Sequence, residues 1–363
     1  MSLNHKPMTS TLNLRSVWVL LFLTYSALLA SGSLYPLSTW QSAHLFDLSF
    51  LWAAWPRTIS RIDLLTNIFI YVPFGLCATR AIFRRHYSLA HWLSICLLGA
   101  AFSTAMECLQ IFLPTRVASN LDILANSAGA ALGAGLAPYI SRHSHFFAWA
   151  VALRRHWFRP GWAVNLGLIL LVLWVLAQFS LQKPGLVAGS LHGGFTPFWE
   201  SDAASFRPSL SLLFALEIAS VSLFIASLLR PDQRLIPGAL SLTISAILLK
   251  FLTAALLIKL EFLVRLLSLE AVLGLGLGAG SALALIYFRS RPPPYPLLAG
   301  VLSTFILAKL MHGAPFLTAT GRAPDLATQP ELLFNIGGVA YLVAELWPYL
   351  ALGCALALWD RDS

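Results

Sequence analysis

Charge is what this sequence has least of. Only 11% of the 363 residues are Asp, Glu, Lys or Arg, against 58% hydrophobic, and the mean hydropathy is +0.75. That balance lies outside the range of ordinary soluble domains and marks an integral membrane protein. Strand-length alternation of apolar and polar residues is also missing, which argues against an outer-membrane β-barrel. The four cysteines, Cys77, Cys96, Cys108 and Cys354, fall in apolar segments without CxxC spacing, so they read as small buried side chains rather than as disulfides or metal ligands. No HExxH, GxSxG or paired Glu/His motif occurs, and no metal or cofactor is expected. A soluble module with clustered basic and aromatic residues is absent too, so the net charge of +9 is no nucleic-acid footprint.

What the chain does have is a series of apolar runs near the ~20 residues that an α-helix needs to cross a bilayer. Hydropathy, Pro/Gly breaks and charge clusters predict an all-α, polytopic transmembrane bundle of about ten spans. These run at 15–32, 64–83, 91–113, 121–140, 162–181, 209–229, 236–258, 271–288, 297–312 and 333–358. The first run is read as a retained helix, because the following SLYPLSTW lacks a small-x-small cleavage site. With the N-terminus inside, the cytoplasmic segments collect most of the 24 basic residues, among them Arg84, Arg85, Arg154, Arg155, Arg159 and Arg230. This bias predicts that both termini are cytoplasmic. The outer loops carry aromatic residues (Trp40, Trp52, Trp55, Phe195, Phe198, Trp199) suited to the headgroup level.

Against this background the stretch ECLQIFLPTRVASNLDILAN, residues 107–126, stands out. Ser103, Glu107 and Gln110 share one face of the third span, with Glu107 roughly 9 Å below its outer end. Asp122 and Asn126 share a face of the fourth span, followed by Gly129 and Gly133, a pair that admits close approach of another backbone. Asp63 and Asn67 repeat the four-residue spacing at the outer start of the second span. Arg116 lies in the short loop between the third and fourth. All of these depths coincide, which predicts one shallow polar pocket facing outward. An ionised Glu at that depth needs water, a cation or a proton. Arg116 suits a bidentate carboxylate or phosphate, and the amides of Asn67, Gln110 and Asn126 can satisfy the remaining lone pairs. If Asp63 or Asp122 engages Arg116 instead, Glu107 is left protonated as a donor. Both readings stand open, as does the bland one in which these groups only tie helices together.

The pattern D63-x3-N67-x5-P73-x-G75, S103-x3-E107-x2-Q110 and R116-x5-D122-x3-N126-x2-G129-x3-G133 resembles the VanZ-like membrane protein family over about residues 15–140. The chain departs from it at Ser119, where many members carry an acid. The resemblance implies a bacterial, inner-membrane, multi-pass protein related to a factor associated with reduced susceptibility to teicoplanin-type glycopeptides, and no established chemistry. It divides the chain into a four-helix domain at 1–140 and about six further helices at 141–363. A shift of about 146–149 residues sets Arg61 against Arg207 and Asp122 against Glu270, so the second part is open to reading as a degenerate repeat of the first.

Elsewhere in the spans, Glu217 and Lys250 match in depth and are predicted to form an ion pair between helices. Glu345 either competes for Lys250 or is protonated, and Lys309 and His312 read as snorkelling interface groups. The function expected is binding of a membrane lipid or lipid-linked cell-envelope precursor at the outward pocket. The alternative is an intramembrane hydrolase or transferase acting on a lipid headgroup, with Glu107 as acid or base.

Overall fold

The computed structural model describes residues 14–35, 40–41, 48–55, 60–83, 87–114, 116–143, 145–177, 206–230, 269–288, 295–312 and 331–362. These residues form ten α-helices and one short 3-10 turn at Ser49–Trp52, and no strand among them exceeds an isolated bridge between Phe158 and Leu229. In chain order the helices are α1 Leu14–Ser33, α2 Arg61–Ile82, α3 Leu89–Gln110, α4 Asn120–His143, α5 His145–Trp157, α6 Trp162–Ala177, α7 Pro208–Leu228, α8 Leu269–Phe288, α9 Tyr295–His312 and α10 Glu331–Asp362. Six have segments long and apolar enough to cross a membrane, and α6, α8 and α9 contain shorter apolar runs. The predicted span at 236–258 lies outside the described residues.

Helix starts follow local chemistry. Ser60 accepts the Asp63 backbone N–H at the head of α2. Ser88 and His91 cap α3 reciprocally, each side chain taking the other's backbone N–H. Pro73 lies inside α2 and deprives the Phe69 carbonyl of its helical donor. One residue on, the Tyr25 hydroxyl of α1 donates to the Ile70 carbonyl at 2.7 Å. The unpredicted helix is α5, whose HFFAWAVALRRHW sequence makes the connector after α4 a 13-residue amphipathic segment with Trp149 and Leu153 exposed. Such a helix suits the membrane surface.

The helices α1–α4 pack as one group, with α4 pressed on α2 and α3. Glycine sets the α2–α4 distance. A Cβ on Gly129 would strike the Ile68 carbonyl, one on Gly133 the Val72 carbonyl, and one on Gly75 the Ala130 carbonyl. Backbones this close substitute van der Waals contact for the hydrophobic driving force that lipid cannot supply. The outward faces carry Phe69, Leu97 and Leu132, all exposed, as a lipid-facing surface requires. In the second group, α8 lies on α7 in the same manner, where Gly278 meets the Ala215 carbonyl and Gly274 meets Ser211 and Phe214. Around them α6, α7, α9 and α10 enclose the main apolar core, in which Trp347 donates to the Leu170 carbonyl at 2.8 Å and meets Phe224 edge-on.

One charged group here departs from expectation. Lys309 does not snorkel. It is buried, its ammonium 2.9 Å from Glu345 and 3.1 Å from the Ala344 carbonyl. The reason is that α10 places a carboxylate within reach of its nitrogen, and a direct pair inside the bundle replaces the route to water. Glu217 is buried and accepts from the Trp174 indole at 3.2 Å. Its expected partner Lys250 lies outside the described residues.

Two stability measurements test this packing. Gly133→Val is expected to destabilise the purified protein by at least ~2 kcal/mol through overpacking, while Gly276→Ala, which has nothing within 4 Å of the added carbon, is expected to be neutral in the same denaturation assay. Lys309→Met alone should cost about 3–5 kcal/mol by stranding a buried carboxylate, and the Lys309→Met/Glu345→Leu double variant should recover most of it.

Candidate functional site

The site is built on the end of the bundle where α1 and α3 finish and α2 and α4 begin. Ser103, Glu107 and Gln110 lie on the buried face of α3, with Glu107 only 3% exposed. Past the end of α3 the chain reaches Ser119, immediately before Asn120, the first helical residue of α4. Backbone N–H groups at a helix start have no partner inside the helix. The Ser119 N–H is such a donor, and it is taken by Glu107 Oε2 at 2.8 Å. The carboxylate therefore sits at the N-terminus of α4, where the helix dipole favours negative charge. The Ser119 hydroxyl caps the Leu121 N–H at 3.2 Å.

Arg116 reaches across to the end of α1. Its guanidinium donates to the Tyr35 carbonyl at 3.0 and 3.2 Å and to the Gly32 carbonyl at 3.5 Å, at the carboxyl end of α1. Gln110 donates to the neighbouring Ser33 carbonyl at 2.9 Å. The last carbonyls of a helix lack internal donors and carry its negative dipole, so a cation and an amide fit there. Arg116 and Asp122 both remain within electrostatic reach of Glu107.

Asn126 bridges α4 to α3, its Nδ2 donating to the buried Ser103 hydroxyl at 2.8 Å. Its other atom, Oδ1, is buried and has no hydrogen-bond partner in the protein. The buried hydroxyl of Tyr71 on α2 lies against Ser103 without a well-directed hydrogen bond among the described residues, and within electrostatic reach of Glu107 and Asp122. Tyr71 was not among the residues singled out from sequence. The signal was available, since Asp63, Asn67 and Tyr71 follow at intervals of four and so share one helix face.

The group that converges is thus Tyr71, Ser103, Glu107 and Asn126, with Asp122 half-buried at its edge. Asn67 is half-buried one turn before Tyr71, and Asp63 is exposed in the first turn of α2, where solvent and the helix dipole stabilise its charge. Asp63 therefore takes no part in the buried group. Three further contacts cover this end: Asn120 donates to the Ala53 carbonyl at 2.8 Å, Gln41 N donates to the Phe112 carbonyl at 2.9 Å, and Trp40 rests against Phe112.

Chemically, the arrangement offers a fixed acceptor at Asn126 Oδ1, a phenolic donor and acceptor at Tyr71, and a carboxylate already sharing one oxygen with a backbone N–H. A complementary group must donate to Asn126 and can either donate to or accept from Tyr71, as a hydroxyl or an amide does. Glu107→Ala is expected to destabilise the protein by about 1–3 kcal/mol, because it leaves the Ser119 N–H without its acceptor. Glu107→Gln keeps an acceptor and should cost less than about half of that in the same unfolding measurement.

No curated protein and no solved structure matches the chain. Residues 14–142 match the model of the family described as VanZ/LLP1, so the unit formed by α1–α4 is a VanZ-like domain of a multi-pass membrane protein.

Proposed function

We propose that the VanZ-like domain binds the polar head of a lipid or lipid-linked cell-envelope component at the outer face of a bacterial cytoplasmic membrane. The observation that supports this reading is the pair of buried atoms without a well-directed hydrogen bond among the described residues, Tyr71 Oη and Asn126 Oδ1, near the Glu107 carboxylate. An unpaired polar atom in a membrane interior costs several kcal/mol, so two of them near one carboxylate favour a ligand there. Here the scaffold around the atoms is fixed while their own bonding capacity is left over. Hydroxyl- and amide-rich heads supply the missing donors.

The orientation follows from the charge bias of the connectors, which puts the start of α2 and α4 on the outer side. On that side the polar group meets the headgroup layer, and exposed Trp52 and Trp55 lie in the connecting segment that leads to α2. A ligand reaching Glu107 meets a carboxylate that the Ser119 N–H already holds by one oxygen.

Purification of the full chain in native lipid, followed by mass spectrometry of what remains bound, tests the proposal. A species with a hydroxyl- or amide-bearing head is expected to be retained by the wild type, retained by Glu107→Gln, and reduced about tenfold or more by Asn126→Leu, the loss expected when a buried hydrogen bond to ligand goes unmade. Equal lipid profiles for the wild type and a folded Asn126→Leu would contradict it. Retention by Glu107→Gln together with accumulation of an unconverted headgroup would instead favour acid-base chemistry at Glu107.

A further inference from the structure

The opposite end of the bundle holds a second arrangement with ligand-binding character. Between α1 and α6 lies a cleft of about 390 Å³, walled by Leu21 and Leu28 on one side and by Ile169, Val172 and Leu176 on the other. It opens beside α5, and its polar end is formed by Arg154 and Asn165. From Asn165 to Leu176 the helix rises about 16 Å, roughly half of a ~30 Å hydrocarbon core and hence the depth of one leaflet.

The polar end is unusually cationic. Arg154 donates through Nε and Nη2 to Asn165 Oδ1 at 3.1 and 2.9 Å and through Nη1 to the Phe158 carbonyl at 3.2 Å. Arg230 donates to the same Phe158 carbonyl at 3.1 Å, and Arg159 to the Leu229 carbonyl at 3.1 Å. Arg361 reaches the Pro160 carbonyl at 2.8 Å, over Gly161, whose φ of +130° leaves room that a side chain would fill. The acceptors of Arg154 and Arg230, an amide oxygen and a carbonyl, are neutral. Burial, and then the neighbouring Arg230 charge, pull Arg154 down to about 10 from its ordinary value. Two guanidinium groups converging on one carbonyl is the arrangement that a phosphate stabilises by bidentate, charge-assisted hydrogen bonds.

We infer that the α1–α6 cleft holds one acyl chain of an anionic membrane phospholipid whose phosphate rests on Arg154 and Arg230. The apolar walls fit the chain, and the guanidinium pair of Arg154 and Arg230 fits the head. The connector charge bias assigns this end to the cytoplasmic leaflet, where anionic lipids and basic residues attract. The amphipathic α5, lying along that surface, presents Arg154 to it. The site is separate from the Tyr71–Glu107–Asn126 group in position, in leaflet and in the sign of its charge, and it stands whether or not that group binds a ligand.

The test uses the delipidated full chain offered equal amounts of phosphatidylglycerol and phosphatidylcholine, with bound lipid counted by native mass spectrometry. The wild type is expected to prefer phosphatidylglycerol, and Arg154→Gln to lower that preference about fivefold, the worth of one basic side chain at an anionic surface. Val172→Trp, at an exposed position on the cleft wall, is expected to lower retention of the chain itself. Equal retention of the two lipids by the wild type, or an unchanged preference in Arg154→Gln with native circular dichroism, would overturn the inference. Should Arg154→Gln not fold, undiminished phosphatidylglycerol retention by Val172→Trp would overturn it instead.

Discussion

A membrane interior offers polar groups no water, so each must find its partner within the bundle. The VanZ-like domain is organised around one consequence of that constraint, the hydrogen bond from the Ser119 N–H to the buried Glu107 carboxylate. It joins the last turn of α3 to the first turn of α4 and places a negative group where an unpaired helix terminus needs one. The same logic works with opposite sign at the carboxyl end of α1, which Arg116 and Gln110 hold through its last carbonyls. Helix termini thus take up both an acid and a cation at this end of the protein.

Close backbone packing complements those terminal bonds. Gly75, Gly129 and Gly133 bring α2 against α4 and thereby carry Tyr71 towards Ser103 and Asn126. A wider spacing would separate the phenol from the amide, and the two unpartnered atoms would no longer belong to one site. Packing and chemistry are linked through the absence of three side chains. In the second group, Gly274 and Gly278 bring α8 on to α7 in the same way, but the polar atoms there are Glu217, held by Trp174, and Glu270, which accepts the Arg207 N–H. This likeness is the best support for proposing the second part as a degenerate copy of the first, one in which the buried acids brace helices.

The helices were legible in the sequence because a bilayer imposes length and composition so strongly that α7, for example, needs little besides its apolar run from Pro208. The shared face of Ser103, Glu107 and Gln110 was legible for the same reason, as a helix spacing. What the sequence concealed is what depends on backbone atoms and on helix ends. Glu107 takes a main-chain N–H and Arg116 donates to main-chain carbonyls, contacts that a residue pattern does not display. Tyr71 was hidden inside an apolar run, and Lys309 was taken for an interface group because its pairing with Glu345 depends on the register of α9 against α10. The amphipathic α5 was masked by its basic residues, which read first as a cytoplasmic connector.

The two ends of the bundle divide the chemistry between them, an acidic and amide-bearing group where α2 and α4 begin and a cationic apolar cleft where α1 and α6 begin. The central claim is that Tyr71 and Asn126 are left unsaturated in order to meet a polar head arriving from the outer leaflet. An experimental density map of the protein in a native-lipid nanodisc addresses it most directly. The account predicts elongated density touching Tyr71 Oη and Asn126 Oδ1 and continuing into the outer headgroup layer. A single sealed water bridging the two atoms, with no density leading outward, would contradict it.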